Sequence, residues 1–378
     1  MNTIRVLLDT TWAAGTGGTA RYVSSLHEAL VVRPDVEVIA VSAPRLTSVR
    51  RAVRMPLNGV LHLVWTQVLL PVLAWRHRVD VVQATMTAPV MSPRPVVLTL
   101  HDALDFMPVL LPSQAWSRYM RTVGALAARR AAVVVTGTRA SAAEIVRYYR
   151  VAPERVRVTA YGSALVGVEL GEDRASCPVV LSRSEGPPRV SRPGGQGGEV
   201  LRCGSGRQGF VLMVGAADRR KDIGTGLRAV AMVREAGVEI AAVVVGSVPD
   251  AFAEEAWVTV VTRVSDPELA WLYEYAVAVL VTSRHEGYGL PVVEAQACGT
   301  PVVVSDLPAL REVGGGAARY APVGDAAAFA RELAQIVDRP EEERAQVARA
   351  SSASGGPTWT ATANATVAIY RELLGRGT

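Results

Sequence analysis

The chain repeats one short pattern, in which a run of β-branched apolar residues is followed by a stretch with helical spacing of its apolar residues. In the first 162 residues the apolar runs are TIRVLLD, VEVIAVS, VDVVQAT, PVVLTLH, AAVVVTG and RVRVTAY. Continuous apolar runs predict strands that are buried on both faces, and strands separated by helices predict a parallel sheet. The pattern therefore predicts a doubly wound α/β domain.

This pattern stops after residue 162 and resumes at residue 209. The stretch between them includes SRSEGPPRVSRPGGQGGEV, which has no apolar periodicity and predicts a mobile linker. The later runs GFVLMVG, IAAVVVG, WVTVVTR, VAVLVTS and PVVVSD predict a second domain of the same class. We expect Rossmann-like domains at 1–162 and 209–355, a linker at 163–208, and a C-terminal helix within 356–378 that crosses back to the first domain.

The cysteines and the N-terminus limit the setting in which the chain works. The three cysteines, Cys177, Cys203 and Cys298, form no CxxC pair, which argues against a disulfide framework and a zinc site. The N-terminal MNTIRVLLDTTW lacks the long apolar core of a signal peptide. We therefore expect a cytoplasmic protein.

Charge is unevenly distributed along the chain. Residues 1–162 carry 19 arginines against 9 acidic residues, whereas the remainder is net negative, although the whole chain has a net charge of +5. A basic N-terminal half suggests an anionic partner, such as a membrane surface or a phosphate-bearing acceptor, and an arginine-rich surface that is only solvated is a strong alternative. No recognition motif with interleaved aromatic residues supports nucleic acid as the partner.

The apolar stretch from Gly59 to Trp75 is short for a membrane span and predicts a buried or interfacial helix.

Ligands of open α/β sheets bind outside the carboxyl ends of the strands, so the loops after the strands are the candidate sites. The first such loop contains Gly15, Gly17 and Gly18 and precedes a helix, whose N-terminal amides favour anions. It lacks the GxGxxG spacing of a dinucleotide site, and a simple tight turn is an equal alternative. His101 and Asp102 end a later strand, where a polar pair is well placed for a site, although a lone histidine is more often structural.

Lys221 is the only lysine in a chain of 378 residues. It follows Arg220 after the run GFVLMVG, at the predicted start of a helix. Cations are slightly unfavourable at a helix N-terminus, and a bound anion would reverse that balance. Lysine supplies a compact charge where arginine supplies a planar fork, so this pair predicts a phosphate site, whereas on this stretch alone a lysine retained by chance is an equal alternative.

The stretch SRHEGYGLPVVEAQACGTPVV holds the densest set of candidate residues. Glu286 follows a predicted strand, glycines flank Tyr288, and Pro291 suits the first turn of a helix on which Glu294 lies. The stretch thus predicts two carboxylates on either side of an anion-binding helix start. Glu286 is placed to meet sugar hydroxyls and Glu294 to meet a ribose.

The spacing of Glu286 and Glu294 resembles the E-x7-E motif of the retaining family 4 glycosyltransferases, which have the GT-B fold. Further segments, in the order of that family, are GGTARY, LTLHDALDFMP, VGAADRRKD, SDPELAWLYEYA and LREVGGGAARYAPVGD. The resemblance covers most of the chain and implies two Rossmann-like domains whose parallel sheets face each other across a cleft. Ala216 and Tyr288 depart from the commoner residues of the family.

The resemblance implies that Arg220 and Lys221 bind the donor diphosphate, that Glu286 contacts the transferred sugar and that Glu294 contacts the ribose. The resemblance implies that the catalytic residues are His101, Arg220, Lys221 and Glu286. It gives Asp102 only weakly, as a residue that binds the acceptor. The implied donor-binding residues are Gly17, Gly18, Arg220, Lys221, Glu286, Gly287, Tyr288, Gly289, Leu290 and Glu294.

The implied reaction is transfer of a hexosyl group from a nucleotide sugar with retention of anomeric configuration, without a cofactor. The chain contains no Asp-x-Asp, so we expect no metal site and assign the metal's part to the two cations. A GDP-sugar is the first choice of donor, with UDP- and dTDP-sugars as alternatives, and the acceptor is a saccharide, a lipid-linked molecule or a small molecule. Two alternative hypotheses remain. The chain could be a GT-B phosphorylase or epimerase, or a non-catalytic scaffold that binds sugar nucleotides. We also expect peripheral contact with the inner membrane face.

Overall fold

The computed structural model describes residues 3–15, 17–44, 51–107, 114–165, 209–262, 264–354 and 356–376, and three short strands between 165 and 209. The chain divides into an N-terminal unit, Met1–Gly162 with Thr358–Thr378, and a C-terminal unit, Ser163–Pro357. Each unit contains its own six-stranded sheet, and all the strand pairs in both sheets are parallel.

The N-terminal sheet has the order β2-β1-β3-β4-β5-β6. Its strands are β1 (Ile4–Asp9), β2 (Val36–Val41), β3 (Val81–Thr85), β4 (Val96–Thr99), β5 (Val133–Thr136) and β6 (Val156–Val158). Its helices are α1 (Gly18–Val31), α2 (Arg51–Val64), α3 (Leu70–Arg76), α4 (Gln114–Tyr119), α5 (Ala125–Arg130) and α6 (Arg139–Tyr149). The central strands β3, β4 and β5 are buried along their whole length, as continuous apolar runs predict.

Two π-helical turns, Trp65–Leu69 and Met120–Gly124, join α2 to α3 and α4 to α5. The helix from α2 to α3 contains the apolar stretch identified in the sequence. By length and composition alone, Leu57–Arg76 could cross a membrane, with a mean hydropathy of 1.5. However, Trp65, Leu70 and Ala74 belong to the core of the N-terminal unit, while most of the other side chains of the helix are partly or largely exposed.

The predicted linker, 163–208, lies mostly outside the described residues. Within it the structure describes residues 163–165 and three two-residue strands that form a small antiparallel sheet. The sequence pattern predicted no strand in this segment. These are β7 (Val180–Leu181), β8 (Val190–Ser191) and β9 (Glu199–Val200), in the order β8-β7-β9.

The C-terminal sheet has the order β12-β11-β10-β13-β14-β15. Its strands are β10 (Gly209–Gly215), β11 (Ile240–Gly246), β12 (Val258–Val261), β13 (Ala278–Val281), β14 (Val302–Ser305) and β15 (Ala318–Ala321). Its helices are α7 (Ile223–Glu235), α8 (Asp266–Tyr275), α9 (Leu290–Ala297), α10 (Pro308–Gly314), α11 (Ala326–Asp338) and α12 (Pro340–Ser354). Apolar side chains cover both faces of the sheet, and α7 and α11 pack on one of them.

The last helix, α13 (Trp359–Leu373), packs on the N-terminal unit, as the sequence predicts. Tyr370 is fully buried, and its hydroxyl donates to Oε1 of Gln83 at 2.9 Å. The guanidinium of Arg371 pairs with Asp35 at 2.6 Å. The chain therefore returns to its first unit by both packing and charge pairing.

Candidate active site

The order of strands in the C-terminal sheet reverses between β10 and β13, and ligands of doubly wound sheets bind at such a reversal. The two neighbouring loops, 216–222 and 282–289, hold most of the residues that the sequence singled out. Backbone and side-chain bonds join these loops. Arg284 N donates to the carbonyl of Arg220 at 2.7 Å, and the hydroxyl of Thr282 donates to the carbonyl of Asp222 at 2.9 Å.

Glu286 is the centre of the cluster that these loops form. Its Oε1 accepts from Nζ of Lys221 at 2.5 Å and from the hydroxyl of Ser283 at 2.7 Å, and its Oε2 lies 3.6 Å from the guanidinium of Arg220. Burial by itself raises the pKa of Glu286, but the charges of Lys221 and Arg220 and the hydrogen bonds from Lys221 and Ser283 outweigh it and lower the pKa to about 2. The carboxylate therefore stays ionised, and these three charges sum to +1.

The turn before α7 fixes Lys221. Asp218 Oδ1 accepts from the backbone N–H of Lys221 at 2.7 Å, and Asp222 has a φ of 45°, which places it in the left-handed region. Asp222 also pairs with Arg284 at 2.8 Å. A Cβ on Gly215 would lie 3.3 Å from Cγ of Lys221, so the lysine stem runs close to the backbone at the end of β10.

The start of α9 depends on Gly289, which has a φ of 98°. A Cβ there would lie 2.5 Å from Cδ2 of Leu310, so conformation and space both favour glycine. Pro291 stands in the first turn of α9, as the sequence predicts. The buried residues from Gly287 to Leu290 thus lead into the start of α9, the end of a helix that favours an anion through its dipole.

Glu294 lies on α9 and is 3% exposed. Its Oε2 accepts a hydrogen bond from the hydroxyl of Tyr273 on α8 at 2.8 Å. The structure thus places the two carboxylates of the E-x7-E spacing where the sequence predicts them, one in the loop and one on the helix, and both are buried.

In the N-terminal unit the strand order reverses between β1 and β3. The glycine loop follows β1, and Gly17, with a φ of 97°, is the N-cap of α1, which begins at Gly18. Asp9, at the end of β1, is fully buried and accepts hydrogen bonds from the amide and hydroxyl of Thr11. Burial raises the pKa of Asp9, although these bonds oppose the rise.

His101 follows β4 and packs edge-on against the rings of Tyr22 and Tyr161. Its Nδ1 lies 3.0 Å from the hydroxyl of Tyr161, and its buried Nε2 has no hydrogen-bond partner in the described part of the chain. Burial lowers the pKa of His101 to about 4, against the opposing charge of Asp102, so the ring is neutral at pH 7. Asp102 Oδ1 accepts from the amide of Leu104 at 3.0 Å.

The structure thus brings Arg220, Lys221 and Glu286 into contact, places Glu294 on the adjoining helix, and places Gly17, Gly18, His101 and Asp102 at the carboxyl ends of strands in the N-terminal unit. Among the described residues, no group of three or more His, Cys, Asp or Glu side chains is arranged to hold a metal ion.

Three residues of this site in the C-terminal unit were not predicted from the sequence. Ser283 and Arg284 lie in the stretch SRHEGYGLPVVEAQACGTPVV, and their closeness to Glu286 in sequence was the available signal. Tyr273 lies on another helix, and no sequence signal pointed to its bond with Glu294.

Two family models match the chain. The model "Glycosyltransferase Family 4" matches residues 16–162, and the model "Glycosyl transferases group 1" matches residues 204–353. Together they cover both units of the fold.

Curated relatives agree with this assignment. A D-inositol 3-phosphate glycosyltransferase 1 of Catenulispora acidiphila is 29% identical over 308 residues, which is 75% of this chain and 68% of that protein. An O-antigen chain mannosyltransferase B of Escherichia coli is 31% identical over 119 residues, or 32% of this chain and 31% of that protein. The second match therefore spans only about a third of the relative's length.

A solved structure shows the same fold over the whole chain. Alr3699/HepE of Anabaena, crystallised with UDP-glucose, is 16% identical and has a TM-score of 0.61, with 98% of each chain covered. The two parallel six-stranded sheets, the matched models and this likeness agree with one another, and the chain belongs to the family 4, group 1 glycosyltransferases with the GT-B fold.

Proposed function

We propose that this protein moves a hexosyl group from a nucleoside-diphosphate sugar to an acceptor hydroxyl, with retention of anomeric configuration. The observation that carries the proposal is the cluster of Arg220, Lys221 and Glu286 at the strand-order reversal of the C-terminal sheet. Its net positive charge and the adjoining start of α9 suit a diphosphate.

In the proposed complex, Arg220 and Lys221 bind the diphosphate together with the amides of Gly287–Leu290. Glu286 holds both cations in place while they are unliganded and contacts the hydroxyls of the transferred sugar. Glu294 accepts from the ribose. Contacts of Gly17, Gly18 and His101 with the donor, and of Asp102 with the acceptor, stay predictions of the family resemblance.

The proposed chemistry breaks the bond between the sugar's anomeric carbon and the diphosphate oxygen, and the bonding electrons leave with the diphosphate. Fixed positive charges that face this oxygen lower the barrier because they stabilise the charge that develops on it. The acceptor hydroxyl attacks from the same face, and its proton passes to the departing phosphate. The two side-chain cations take the part that a metal ion plays in other transferases.

A GDP-sugar such as GDP-mannose is the first proposed donor, and the name of the E. coli relative supports a mannosyl group. The UDP-glucose bound by the Anabaena protein keeps a UDP-sugar as the main alternative, and dTDP-sugars follow. An anionic or membrane-borne acceptor fits the basic N-terminal half, and the inositol phosphate in the name of the C. acidiphila relative is an anionic acceptor of this kind. We place the enzyme in the cytoplasm, in peripheral contact with the inner membrane face.

A thermal-shift screen against GDP, UDP, dTDP and ADP tests the donor site. One nucleotide should raise the melting temperature, because a ligand of the folded state stabilises it by mass action. NMR of the product formed from the corresponding sugar nucleotide should then show the anomeric configuration of the donor. A screen in which no nucleotide shifts the protein would contradict the proposal, and binding without turnover or donor hydrolysis would favour a scaffold.

A further inference from the structure

The helix that runs from α2 through the π-helical turn to α3 exposes an unusually apolar face. Large apolar side chains that are 42–70% exposed recur every three or four residues along it: Leu57, Val60, Val64, Val68, Val72 and Trp75. No charged residue occurs between Arg54 and Arg76. Soluble proteins rarely expose a continuous apolar surface of this kind unless it binds something.

The opposite side of the same helix is fixed to the N-terminal unit. Trp65, Leu70 and Ala74 lie in the core, and Nε1 of Trp65 is 3.4 Å from Oδ2 of Asp9. The amide of Gln67 bonds to the loop after β3, donating to the carbonyl of Ala88 and accepting from the N–H of Val90. A helix held on one side in this way cannot cross a bilayer without unfolding the unit. It can lie in the membrane interface with its exposed apolar side facing the lipid.

The charges around this face identify what covers it. Between Glu37 and Asp80 the sequence contains six arginines and no acidic residue. Arg51 and Arg54 are at the start of the helix, and the exposed Arg76 and Arg78 follow its end. Anionic headgroups attract such flanking arginines, and Trp75, which is 70% exposed next to Arg76, is a residue type that favours the interface. A second copy of the chain would bring these like charges together.

We propose that the face formed by Leu57, Val60, Val64, Val68, Val72 and Trp75, with its flanking arginines, docks the enzyme in the plane of an anionic lipid bilayer. The same helix presents His62 on another side. That ring lies 5.7 Å from the ring of Trp12 and 3.1 Å from the hydroxyl of Thr87, at the carboxyl ends of β1 and β3. Docking therefore brings the strand-order reversal of the N-terminal unit near the lipid headgroups, where a lipid-linked acceptor would lie. The inference rests on the proposed function for this acceptor.

Flotation of the full chain with vesicles tests the surface. The protein should float with vesicles of phosphatidylcholine and phosphatidylglycerol, float less with pure phosphatidylcholine, and be released by salt. Val64→Gln/Val68→Gln should bind about tenfold or more weakly, because two side chains no longer enter the apolar layer. The matched control Met232→Gln/Val323→Gln, at residues 41% and 39% exposed on the C-terminal unit, should bind as the wild type does. Arg76→Gln/Arg78→Gln should remove the preference for anionic lipid.

Equal flotation of the wild type and Val64→Gln/Val68→Gln, or none by the wild type, would overturn the proposal. So would light scattering that shows a wild-type dimer which the same variant turns into a monomer, because the face would then bind a second copy. Nucleotide binding measured on the same samples separates this result from the proposed function, since a protein that binds its nucleotide but no vesicle refutes only the docking surface.

Discussion

The ion pair between Lys221 and Glu286 governs the charge of the proposed donor site. Because the folded-state pKa of Glu286 is lowered to about 2, the pair's contribution to stability is complete above the carboxyl's ordinary pKa of 4.5 and is lost as pH falls toward 2. In Lys221→Met the burial of Glu286 is less well compensated. We expect a loss of about 3 kcal/mol in the free energy of unfolding at pH 8, because removing one partner of a buried pair is strongly destabilising even where Arg220 and Ser283 remain beside the carboxylate.

That loss should shrink as the pH is lowered to 5, because burial then raises the pKa of Glu286 and protonation relieves the cost. Scanning calorimetry across this pH range measures the effect. A Lys221→Met variant whose deficit stays constant with pH would contradict the assignment of the carboxylate as ionised and held by the lysine.

His101 gives a second pH dependence. Its pKa falls from the ordinary 6.5 to about 4 in the folded protein, so below pH 6.5 the unfolded chain binds a proton that the folded chain does not. The stability due to the neutral ring is therefore present above pH 6.5 and is lost as pH falls toward 4. We expect His101→Gln to lose less stability than the wild type between pH 7 and pH 5, by calorimetry. Parallel curves would show that the ring is not buried in its neutral form.

At the scale of single elements, the start of α9 requires glycine for two separable reasons. Gly289 and Gly237 have φ angles of 98° and 92°, but only at Gly289 does a Cβ meet a neighbour, Leu310. Gly237→Ala should cost about 1 kcal/mol from backbone strain alone. Gly289→Ala should cost more and should also weaken nucleotide binding, which titration calorimetry measures. Equal costs and unchanged binding would show that α9 does not position the anion site.

Sequence periodicity identified most of the strands, because a strand buried on both faces must be apolar throughout. It missed β15, since Ala318–Ala321 reads ARYA. The side chain of Arg319 is partly buried and pairs with Glu332 and Glu343. The residues at strand ends could be assigned to one site because parallel strands share a carboxyl edge. The bond between Tyr273 and Glu294 could not be assigned, because the packing of α8 on α9 depends on tertiary structure.

At the scale of the whole molecule, the two units have separate cores, so calorimetry should resolve their unfolding into two transitions. Tyr370→Ala should lower the free energy of unfolding of the N-terminal unit by about 3–5 kcal/mol, the range for deleting a buried aromatic ring. Residue 370 is nevertheless far in sequence from the rest of that unit. Tyr370→Phe, which removes only the bond to Gln83, should cost about 1 kcal/mol. Nucleotide should still shift the other transition in both variants. If Tyr370→Ala instead shifted the transition of the C-terminal unit, the assignment of α13 to the N-terminal unit would be wrong.

The most direct test of the proposed donor site is its affinity for the nucleotide that stabilises the protein, measured by titration calorimetry. The wild type is compared with Lys221→Arg and with the control Arg331→Lys, an exchange at an exposed position on α11. We predict that Lys221→Arg binds about tenfold or more weakly, because a planar fork does not reproduce the compact charge that the lysine holds beside Glu286, and that the control binds as the wild type does. Unchanged affinity in Lys221→Arg would contradict the assignment of Lys221 as the ligand of the donor diphosphate.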